Sequence, residues 1–480
     1  MTMTKRFKIG VVLAAAISFT SACKKDFLEV TPKGRLIAQK VSDYDLLLNN
    51  LDMVNISTNS QVAMSDEIAA VQPYFDGASL KTQRLFRWEA VIYEASENAT
   101  EMDMPMKNIY TFNKIIQELP AATDGTAQQK RSIAAEAMAG RAWTYFLLVN
   151  YFGKPYDANT AGTDPGFPIL TKADVTENKF TRASVKEVYE FIINDLNKAI
   201  PDLPAKTTHS MRMSKAAAEG LLGKVYLFMG KPELALPHFD ASLLAAANSA
   251  IPLALYDYNK TLAPGGEFLP IGSYGPSYPS AVNNRECVYN KQSSNFWTFF
   301  YNEFVIDKKT VNLFESTDLR LKFYSRNAYY GPEYPTGLLR KMGPTSFQYG
   351  ILLPDLYLLR AECKARLGDL TGAKADVEQL RKNRMPSANA VVPAAIEGQQ
   401  LVLLNFILEE RIREFALSGY RWFDMRRLSV DPLFKAKTYT HTLYAVTGAV
   451  AGTFTLKPER LVLRFPQKVM DQNPGMENNP

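Results

Sequence analysis

Residues 221–239, LLGKVYLFMGKPELALPHF, and residues 356–380, LYLLRAECKARLGDLTGAKADVEQL, decide the fold. Each contains two apolar-periodic stretches, separated by a turn that begins at Gly230 in the first and at Gly368 in the second. Apolar side chains that recur every three or four residues are typical of a helix with one buried face. Each segment therefore predicts a pair of helices joined by a short turn.

Small residues in the two segments follow the same spacing. Gly223 is followed by Ala235 and then Phe239, and Ala361 is followed by Ala373 at the same interval of 12 residues. This spacing fits tetratricopeptide repeats, in which small residues let paired helices approach closely. The alternative is two unrelated hairpins with small residues at their crossings. Further helices are predicted over 107–119, 127–152, 184–200, 214–229, 231–247, 353–367, 370–385 and 398–418.

The helical pattern stops between residues 249 and 351. Glycine, proline and aromatic residues dominate there, in stretches such as PGGEFLPIGSYGPSYPS, NFWTFFYNEF and YYGPEYPTG, with 12 aromatic residues between 256 and 304. A long irregular segment inside a helical protein is usually functional. The stretches RECVYN, HTLYAVTGAVAGTFTL and RLVLRFP favour short strands. We expect a mainly α protein with a tetratricopeptide-like scaffold, a long loop-rich, aromatic-rich insertion and minor β structure.

Composition excludes several classes of protein. The chain has 480 residues, 22% of them charged, and a net charge of +6 without a basic stripe that would track phosphates, so no nucleic acid is expected. Three cysteines are too few for a disulfide scaffold. The chain lacks GxxxxGK[ST], GxGxxG, HExxH, GxSxG and CxxC, and its three histidines lack metal-ligand spacing. We therefore expect no catalytic residue, no metal and no cofactor, and we interpret Glu409-Glu410 as a solvated pair.

The first 22 residues are typical of an export signal. Lys5, Arg6 and Lys8 precede the apolar or small run Ile9–Ile17, which is too short to span a bilayer. Small residues then lead to Cys23, an arrangement that resembles a bacterial lipoprotein signal with Cys23 as the acylated residue. The alternative is an ordinary signal peptide with an incidental cysteine.

Structural roles are expected for several other residues. Cys287 and Cys363 are interpreted as buried thiols, although an exported protein could join them. Arg421 and Asp424 are expected to pair across one helical turn. Four aromatic residues are expected to be buried and to anchor their segments in the hydrophobic core: Trp88, Trp143, Trp422 and Phe423.

Seven stretches together resemble SusD/RagB-type outer-membrane lipoproteins. The most specific are LPDLYLLRAECKARLGDLTGA (353–373) and EERIREFALSGYRWFDMRRL (409–428). The others are CKKDFLEVTPKGRL (23–36), AEAMAGRAWTYFLLVNYFGKPY (135–156), RASVKEVYEFIINDLNKAIPDLP (182–204), MRMSKAAAEGLLGKVYLFMGKPELA (211–235) and FPQKVMDQNPGMENNP (465–480). The resemblance implies a surface-exposed protein that is anchored in the outer membrane by lipid on Cys23. It also implies a SusC-like TonB-dependent transporter as partner, facing the helical scaffold. It divides the chain into a signal peptide (1–22), an N-terminal region (23–248), a ligand-binding segment (249–351) and a C-terminal region (352–480).

The resemblance implies capture of an oligosaccharide without transforming it, but it transfers no binding residue. Some members of the family bind peptides instead; a surface-anchored glycan hydrolase and a repeat scaffold without a small ligand are further alternatives. Sugars require flat aromatic faces beside hydrogen-bonding groups. The candidates, chosen from irregular segments, are Trp297, Tyr301, Tyr274, Tyr278 and Tyr74, with Asn295, Asn302 and Gln292 as polar groups. The competing interpretation is that each aromatic packs against the scaffold.

Overall fold

Long α-helices provide the framework of the fold. The computed structural model describes residues 38–480 apart from residues 57, 177–178, 206–208, 295–299, 336 and 345. The predictions for the signal peptide and Cys23 therefore concern residues outside the described part. The helices are α1 (Val41–Leu48), α2 (Ser60–Ala63), α3 (Leu80–Phe86), α4 (Thr100–Glu118), α5 (Ala127–Phe152), α6 (Val185–Ala199), α7 (Lys215–Phe228), α8 (Pro232–Ala247), α9 (Tyr258–Thr261), α10 (Lys308–Val311), α11 (Leu353–Arg366), α12 (Leu370–Arg381), α13 (Ala394–Glu397), α14 (Gln400–Phe415), α15 (Tyr420–Leu428) and α16 (Gln467–Gln472).

Consecutive long helices pack as pairs, which confirms the predicted helical-repeat scaffold. Helix α5 packs against α4 and α6, α7 against α8, and α11 against α12. Helix α11 also packs against α8 and α14, so the two hairpins that the sequence singled out adjoin each other. The framework is thus one continuous helical layer, and the irregular segments are attached to it.

Glycine is required at the turns and at one crossing of these hairpins. Gly230 and Gly368 occupy the left-handed region, with φ of +72° and +87°, where each hairpin turns. Within the first hairpin, a Cβ on Gly223 would lie 2.9 Å from a ring carbon of Phe239 and 3.1 Å from the carbonyl oxygen of Ala235. A larger residue at 223 would therefore push α7 and α8 apart.

Short strands supply the minor β structure. They are β1 (Ile68–Val71), β2 (Cys287–Tyr289), β3 (Gln292–Ser294), β4 (Val305–Ile306), β5 (Tyr324–Ser325), β6 (Arg340–Lys341), β7 (Ser346–Gln348), β8 (Ile351–Leu352), β9 (Thr440–Tyr444) and β10 (Val450–Thr455). One sheet has the order β10-β9-β1-β4, and three pairs are β2–β8, β3–β7 and β5–β6. Strand β1 runs parallel to β9 and antiparallel to β4. The strands expected in RECVYN and in HTLYAVTGAVAGTFTL are confirmed.

The prediction of a strand in RLVLRFP is wrong. Pro458–Leu461 forms a 3₁₀ turn, and the following residues pair with no strand. The run instead packs against the end of α5, where the Leu463 amide donates to the Tyr151 carbonyl at 2.8 Å and the Phe465 ring lies 4.7 Å from that of Phe152. Its apolar residues are thus buried by a helix rather than by a sheet.

The expected pair between Arg421 and Asp424 is also wrong. Arg421 Nε lies 2.6 Å from Oδ1 of Asp66, while Asp424 is bound by Arg411 at 2.9 Å and by Arg427 at 2.8 Å. All five side chains are buried. Arg421 and Asp424 therefore bind other partners in the folded chain, although their spacing on the helix would allow them to pair with each other.

The prediction that Glu409 and Glu410 are both solvated is wrong for Glu410, which is buried. Glu409 is exposed, as expected. The Glu410 carboxylate accepts from Arg320 at 2.7 Å and from Arg381 and Arg413 at 2.9 Å each. Burial alone would raise the pKa of Glu410, but these three guanidinium groups outweigh it and hold the pKa well below its ordinary value. The carboxylate is a structural anion.

The expected core residues are largely confirmed. Phe423 is only partly buried, and its ring lies 5.8 Å from that of Tyr151. The buried residues that match the prediction are Trp88, Trp143, Trp422 and the free thiols Cys287 and Cys363.

Within the described residues, no helix is both long and apolar enough to span a bilayer.

Candidate ligand-binding surface

Four aromatic side chains cluster at the surface, and we call them the aromatic patch: Tyr274, Phe300, Tyr329 and Tyr330. The ring centroid of Tyr329 lies 5.9 Å from that of Tyr274, 5.3 Å from Phe300 and 4.4 Å from Tyr330. The exposed fractions are 85% for Tyr330, 54% for Tyr274 and 38% for Phe300. Contiguous exposed rings of this kind mark binding surfaces, because water solvates them poorly.

The loop that carries Tyr330 holds it in an unusual conformation. Tyr330 has φ of +50°, which is rare for a bulky residue and costs about 1–2 kcal/mol. The loop is closed by a bridge between Asn327 and Glu333 and by a hydrogen bond of 3.0 Å from the Ala328 amide to the Pro332 carbonyl. Such backbone conformations concentrate at ligand sites, where they direct a side chain outward.

Asn302 ties this loop to the segment that carries Phe300. Its Oδ1 accepts from the Tyr329 amide at 2.6 Å and from the Tyr334 hydroxyl at 3.1 Å, and its Nδ2 donates to the Tyr329 carbonyl at 3.3 Å. Asn302 is buried and has φ of +58°. The Tyr334 ring in turn packs edge-on against Tyr74 at 6.0 Å. Asn302 therefore positions the patch from beneath.

The patch combines flat faces with hydroxyl groups. Hydrogen bonds to the side chain of Tyr274, together with burial and a hydrogen bond to Tyr330, raise the pKa of Tyr329 above its ordinary value. The Tyr329 side chain is thus linked to those of Tyr274 and Tyr330. Stacking faces with adjoining hydroxyl donors and acceptors are what a sugar ring needs, since it has apolar faces and a polar rim.

A cavity of about 100 Å³ comes close to the patch at the backbone of Tyr274. Gly343 lines it, and a Cβ on Gly343 would lie 2.5 Å from the carbonyl oxygen of Tyr274, so these two backbones are in close contact. At about 30 Å³ per water molecule the cavity has room for roughly three waters. It suits a substituent of a ligand rather than a whole sugar ring. Its lining includes Tyr258, Tyr278, Glu286, Lys341, Phe347 and Glu414.

Lys341 brings positive charge to this cavity. Its Nζ donates to the Ala416 carbonyl at 2.6 Å and to the Ser418 hydroxyl at 2.9 Å. Burial lowers the pKa of Lys341 to about 8, although the charges of Glu67 and Glu414 act in the opposite direction. A cation held mainly by neutral oxygen atoms is available to an anionic group in the cavity.

The tyrosines predicted from the sequence occupy three places. Tyr274 belongs to the patch, and Tyr301, 62% exposed, follows Phe300 in the chain. Tyr74 lies beneath the patch in contact with Tyr334. Tyr278 lines the cavity and packs against Phe268, with ring centroids 5.0 Å apart. Contact of these residues with a ligand remains a prediction.

The predicted polar residues are more dispersed. Gln292 lies on β3 and donates to Oδ1 of Asn55 at 2.7 Å. The Asn302 carboxamide binds protein groups beneath the patch. Asn295 and Trp297 lie outside the described residues. Their roles in binding also remain predictions.

Phe300, Tyr329 and Tyr330 were not among the residues predicted from the sequence. The available signal was the stretch YYGPEYPTG, in which two adjacent tyrosines precede a Gly-Pro turn. In the described part of the chain, no group of three or more His, Cys, Asp and Glu side chains could hold a metal ion.

Two family models match the chain. One, described as "Starch-binding associating with outer membrane", matches residues 26–227, and the other, described as "SusD family", matches residues 353–480. Among curated proteins, a SusD-like protein of Bacteroides ovatus is 21% identical over 480 residues, covering 88% of this chain and 83% of its own. The SusD-like protein P38 of Formosa agariphila is 22% identical over 442 residues, covering 80% of each chain.

Solved structures share the fold. A putative sugar binding protein from Bacteroides vulgatus superposes with a TM-score of 0.68 at 20% identity, over 93% of this chain and 99% of that one. A SusD-like carbohydrate binding protein from the same species gives a TM-score of 0.68 at 16% identity, over 92% of this chain and 98% of that one. At these identities the likeness concerns the fold.

Proposed function

The chain belongs to the SusD/RagB family, and we propose that it binds an oligosaccharide at the aromatic patch and delivers it to a TonB-dependent transporter. The observation that carries this proposal is the cluster that the exposed rings of Tyr274, Phe300 and Tyr330 form around the half-buried ring of Tyr329. The family's association with the outer membrane supports it, as do structural neighbours described as a putative sugar binding protein and a SusD-like carbohydrate binding protein.

The patch would bind by stacking, with specificity from the groups around it. A sugar ring placed on Tyr274 and Tyr330 covers apolar ring surface and meets the linked tyrosine hydroxyls. By analogy with base stacking on aromatic side chains, each ring contributes on the order of 1–3 kcal/mol. Because Asn302 fixes the Tyr329 backbone before the ligand arrives, little ordering of this loop opposes binding.

Anchoring and partner binding complete the proposal. Lipid on Cys23 would hold the chain at the outer membrane, and the helical hairpins would face the transporter. Exposed apolar side chains on the helical scaffold support a contact surface of this kind: Leu244 on α8 is 69% exposed, Leu367 after α11 is 46% exposed, and Leu401 on α14 is 49% exposed. A binding protein of this type needs a separate pore, because it captures a ligand but does not move it across a bilayer.

Incubation of the purified full chain with a panel of polysaccharides, oligosaccharides and peptides tests the ligand. Affinity electrophoresis measures binding, and chromatography of the recovered ligand measures turnover. Glycan binding with unchanged ligand supports capture, whereas shortened products would identify a surface hydrolase. Binding of peptides alone would identify a peptide-capture protein, and binding of neither class would favour a scaffold.

Purification from native membranes tests the partner. Tagged chain extracted in mild detergent should retain a TonB-dependent transporter, identified by mass spectrometry. A variant with Leu244, Leu367 and Leu401 changed to serine should retain less of it while melting at an unchanged temperature. Recovery of wild-type chain only as a free monomer would contradict a stable complex.

A further inference from the structure

Arg340 lies beneath the aromatic patch with its charge uncompensated. It is 3% exposed, its Nε donates to the Asn327 carbonyl at 3.2 Å, and its guanidinium carbon lies 5.6 Å from the Tyr329 ring centroid. Its Nη1 has no hydrogen-bond partner, and among the described residues no carboxylate lies within ion-pairing distance of it. Burial lowers the pKa of Arg340, and the interactions that act in the opposite direction come from Tyr334 and Tyr329 rather than from a carboxylate.

Other buried arginines of this chain show what Arg340 lacks. Arg411 binds Asp355 at 2.8 Å and Asp424 at 2.9 Å, and Arg381 is bound by carboxylates as well. Arg426 is likewise buried without a carboxylate: its Nη2 donates to the Gly153 carbonyl at the end of α5, while its Nε and Nη1 have no hydrogen-bond partner, so what distinguishes Arg340 is its place beneath the patch. A buried charge without a counterion is unfavourable by several kcal/mol. At Arg340 this unfavourable charge adjoins the rings that would receive a ligand.

Lys341, the other residue of β6, provides an independent second observation. Successive residues of a strand point to opposite sides, and Lys341 lines the cavity while Arg340 contacts the patch. Within the described chain, no carboxylate lies within ion-pairing distance of Lys341 either, although Glu67 and Glu414 are close enough to influence its pKa. The short strand thus presents one unpaired cation to the patch and one to the adjoining cavity.

We propose that the patch selects anionic oligosaccharides, whose uronate carboxylate or sulfate ester pairs with Arg340; this rests on the proposed function. Carboxylate and sulfate both present oxygen atoms that match the guanidinium fork. The acid group reaches Nη1 when the half-buried Tyr329 ring turns aside. Lys341 serves a second acid group, or the same group through water, from the cavity side. A neutral glycan would leave both cations without a counterion.

Matched pairs of oligosaccharides test the inference and distinguish its two anion sources. The purified full chain is titrated calorimetrically with hexagalacturonate and its methyl ester, and with sulfated and desulfated galactan oligosaccharides. We expect the acidic member of at least one pair to bind at least tenfold more tightly than its neutral counterpart. Arg340→Gln should abolish that preference. Arg326→Gln, which removes an exposed arginine with the same change in net charge, should preserve it.

Each outcome has a defined meaning. Equal affinity within both pairs, or an acid preference that survives in Arg340→Gln, would overturn the inference and leave the proposed function standing. Binding of neither these oligosaccharides nor any neutral glycan would overturn both. If Arg340→Gln does not fold, Arg340→Lys, which keeps the charge without the fork, should bind the acidic ligand several-fold more weakly. A lower melting temperature with unchanged affinity in either variant would assign Arg340 a structural role instead.

Discussion

Replacing Asn302 should loosen the loop that carries Tyr329 and Tyr330 without unfolding the scaffold. Asn302→Ala removes the acceptor of two hydrogen bonds, from the Tyr329 amide and the Tyr334 hydroxyl, and the donor of a longer third one, to the Tyr329 carbonyl. At about 1 kcal/mol for each of the first two, the loss amounts to at least about 2 kcal/mol. Alanine must also keep a φ of +58°, which adds about 1 kcal/mol. The loop should then open more than 100-fold more often, since 1.4 kcal/mol corresponds to a factor of ten.

Two further variants separate the side chain from the backbone. Asn302→Gly loses the same hydrogen bonds but tolerates the positive φ, so exchange should accelerate roughly 30-fold, corresponding to about 2 kcal/mol. Asn302→Asp keeps the acceptor oxygen and loses only the donation to the Tyr329 carbonyl, so a tenfold effect or less is expected, corresponding to about 1 kcal/mol. Hydrogen-exchange mass spectrometry on the peptide covering 326–335 measures all three, without a ligand. Wild-type exchange in all variants would refute the positioning role, and equal exchange for alanine and glycine would refute the backbone argument.

Three other perturbations test the patch, the buried charges and the anchor. Tyr330→Ala should weaken glycan binding about tenfold in isothermal titration, by analogy with the 1–3 kcal/mol of base stacking, and should leave the melting temperature unchanged. Tyr110→Ala, which removes an exposed tyrosine on α4, should change neither the affinity nor the melting temperature. An equal loss of affinity in both variants would contradict the assignment. Glu410→Gln should lower the free energy of unfolding in urea by about 3–5 kcal/mol, and the exposed Glu409→Gln by no more than about 0.5 kcal/mol. The pKa of Glu410 is lower in the folded chain than in the unfolded chain, where it is about 4.3. The ionised carboxylate therefore stabilises the fold above about pH 4.3, and this stabilisation is lost as the pH falls towards the pKa of the folded chain. Glu410→Gln should lack this pH dependence. Cys23→Ala should abolish fatty-acid labelling and release the chain from membranes; a labelled, membrane-bound variant would place the anchor elsewhere.

The helical scaffold could be predicted because its signals are local. The recurrence of apolar residues around Gly230 and Gly368 specifies each hairpin within a few turns of chain, and both glycines adopt the positive φ that their turns require. Small residues at the crossings, such as Gly223, depend on contacts within one hairpin. The structure therefore reproduces these elements to within a few residues.

Long-range partners could not be predicted. Arg421 binds Asp66, 355 residues away in sequence, although Asp424 was available one turn along the helix. Glu410 is neutralised by Arg413 on its own helix and by Arg320 and Arg381 from two other segments, whereas the adjacent Glu409 is exposed. The partners from other segments have no local signature in the sequence.

The candidate site was predicted in part, for a similar reason. Aromatic density located the irregular segment and selected Tyr274 and Tyr301, which are exposed. The patch exists because the loop carrying Tyr329 and Tyr330 is folded against the Asn302 segment, a juxtaposition that composition does not encode. The charge beneath it depends on the absence of a partner for a buried side chain, which only the folded chain reveals.

A crystal structure of the full chain with its tightest-binding oligosaccharide tests the central claim most directly. We predict a sugar ring stacked on Tyr274 or Tyr330, with an acid group of the ligand directed towards Arg340 and the bonds of the ligand intact. A sugar held elsewhere on the chain, with the aromatic patch exposed to solvent, would contradict the account.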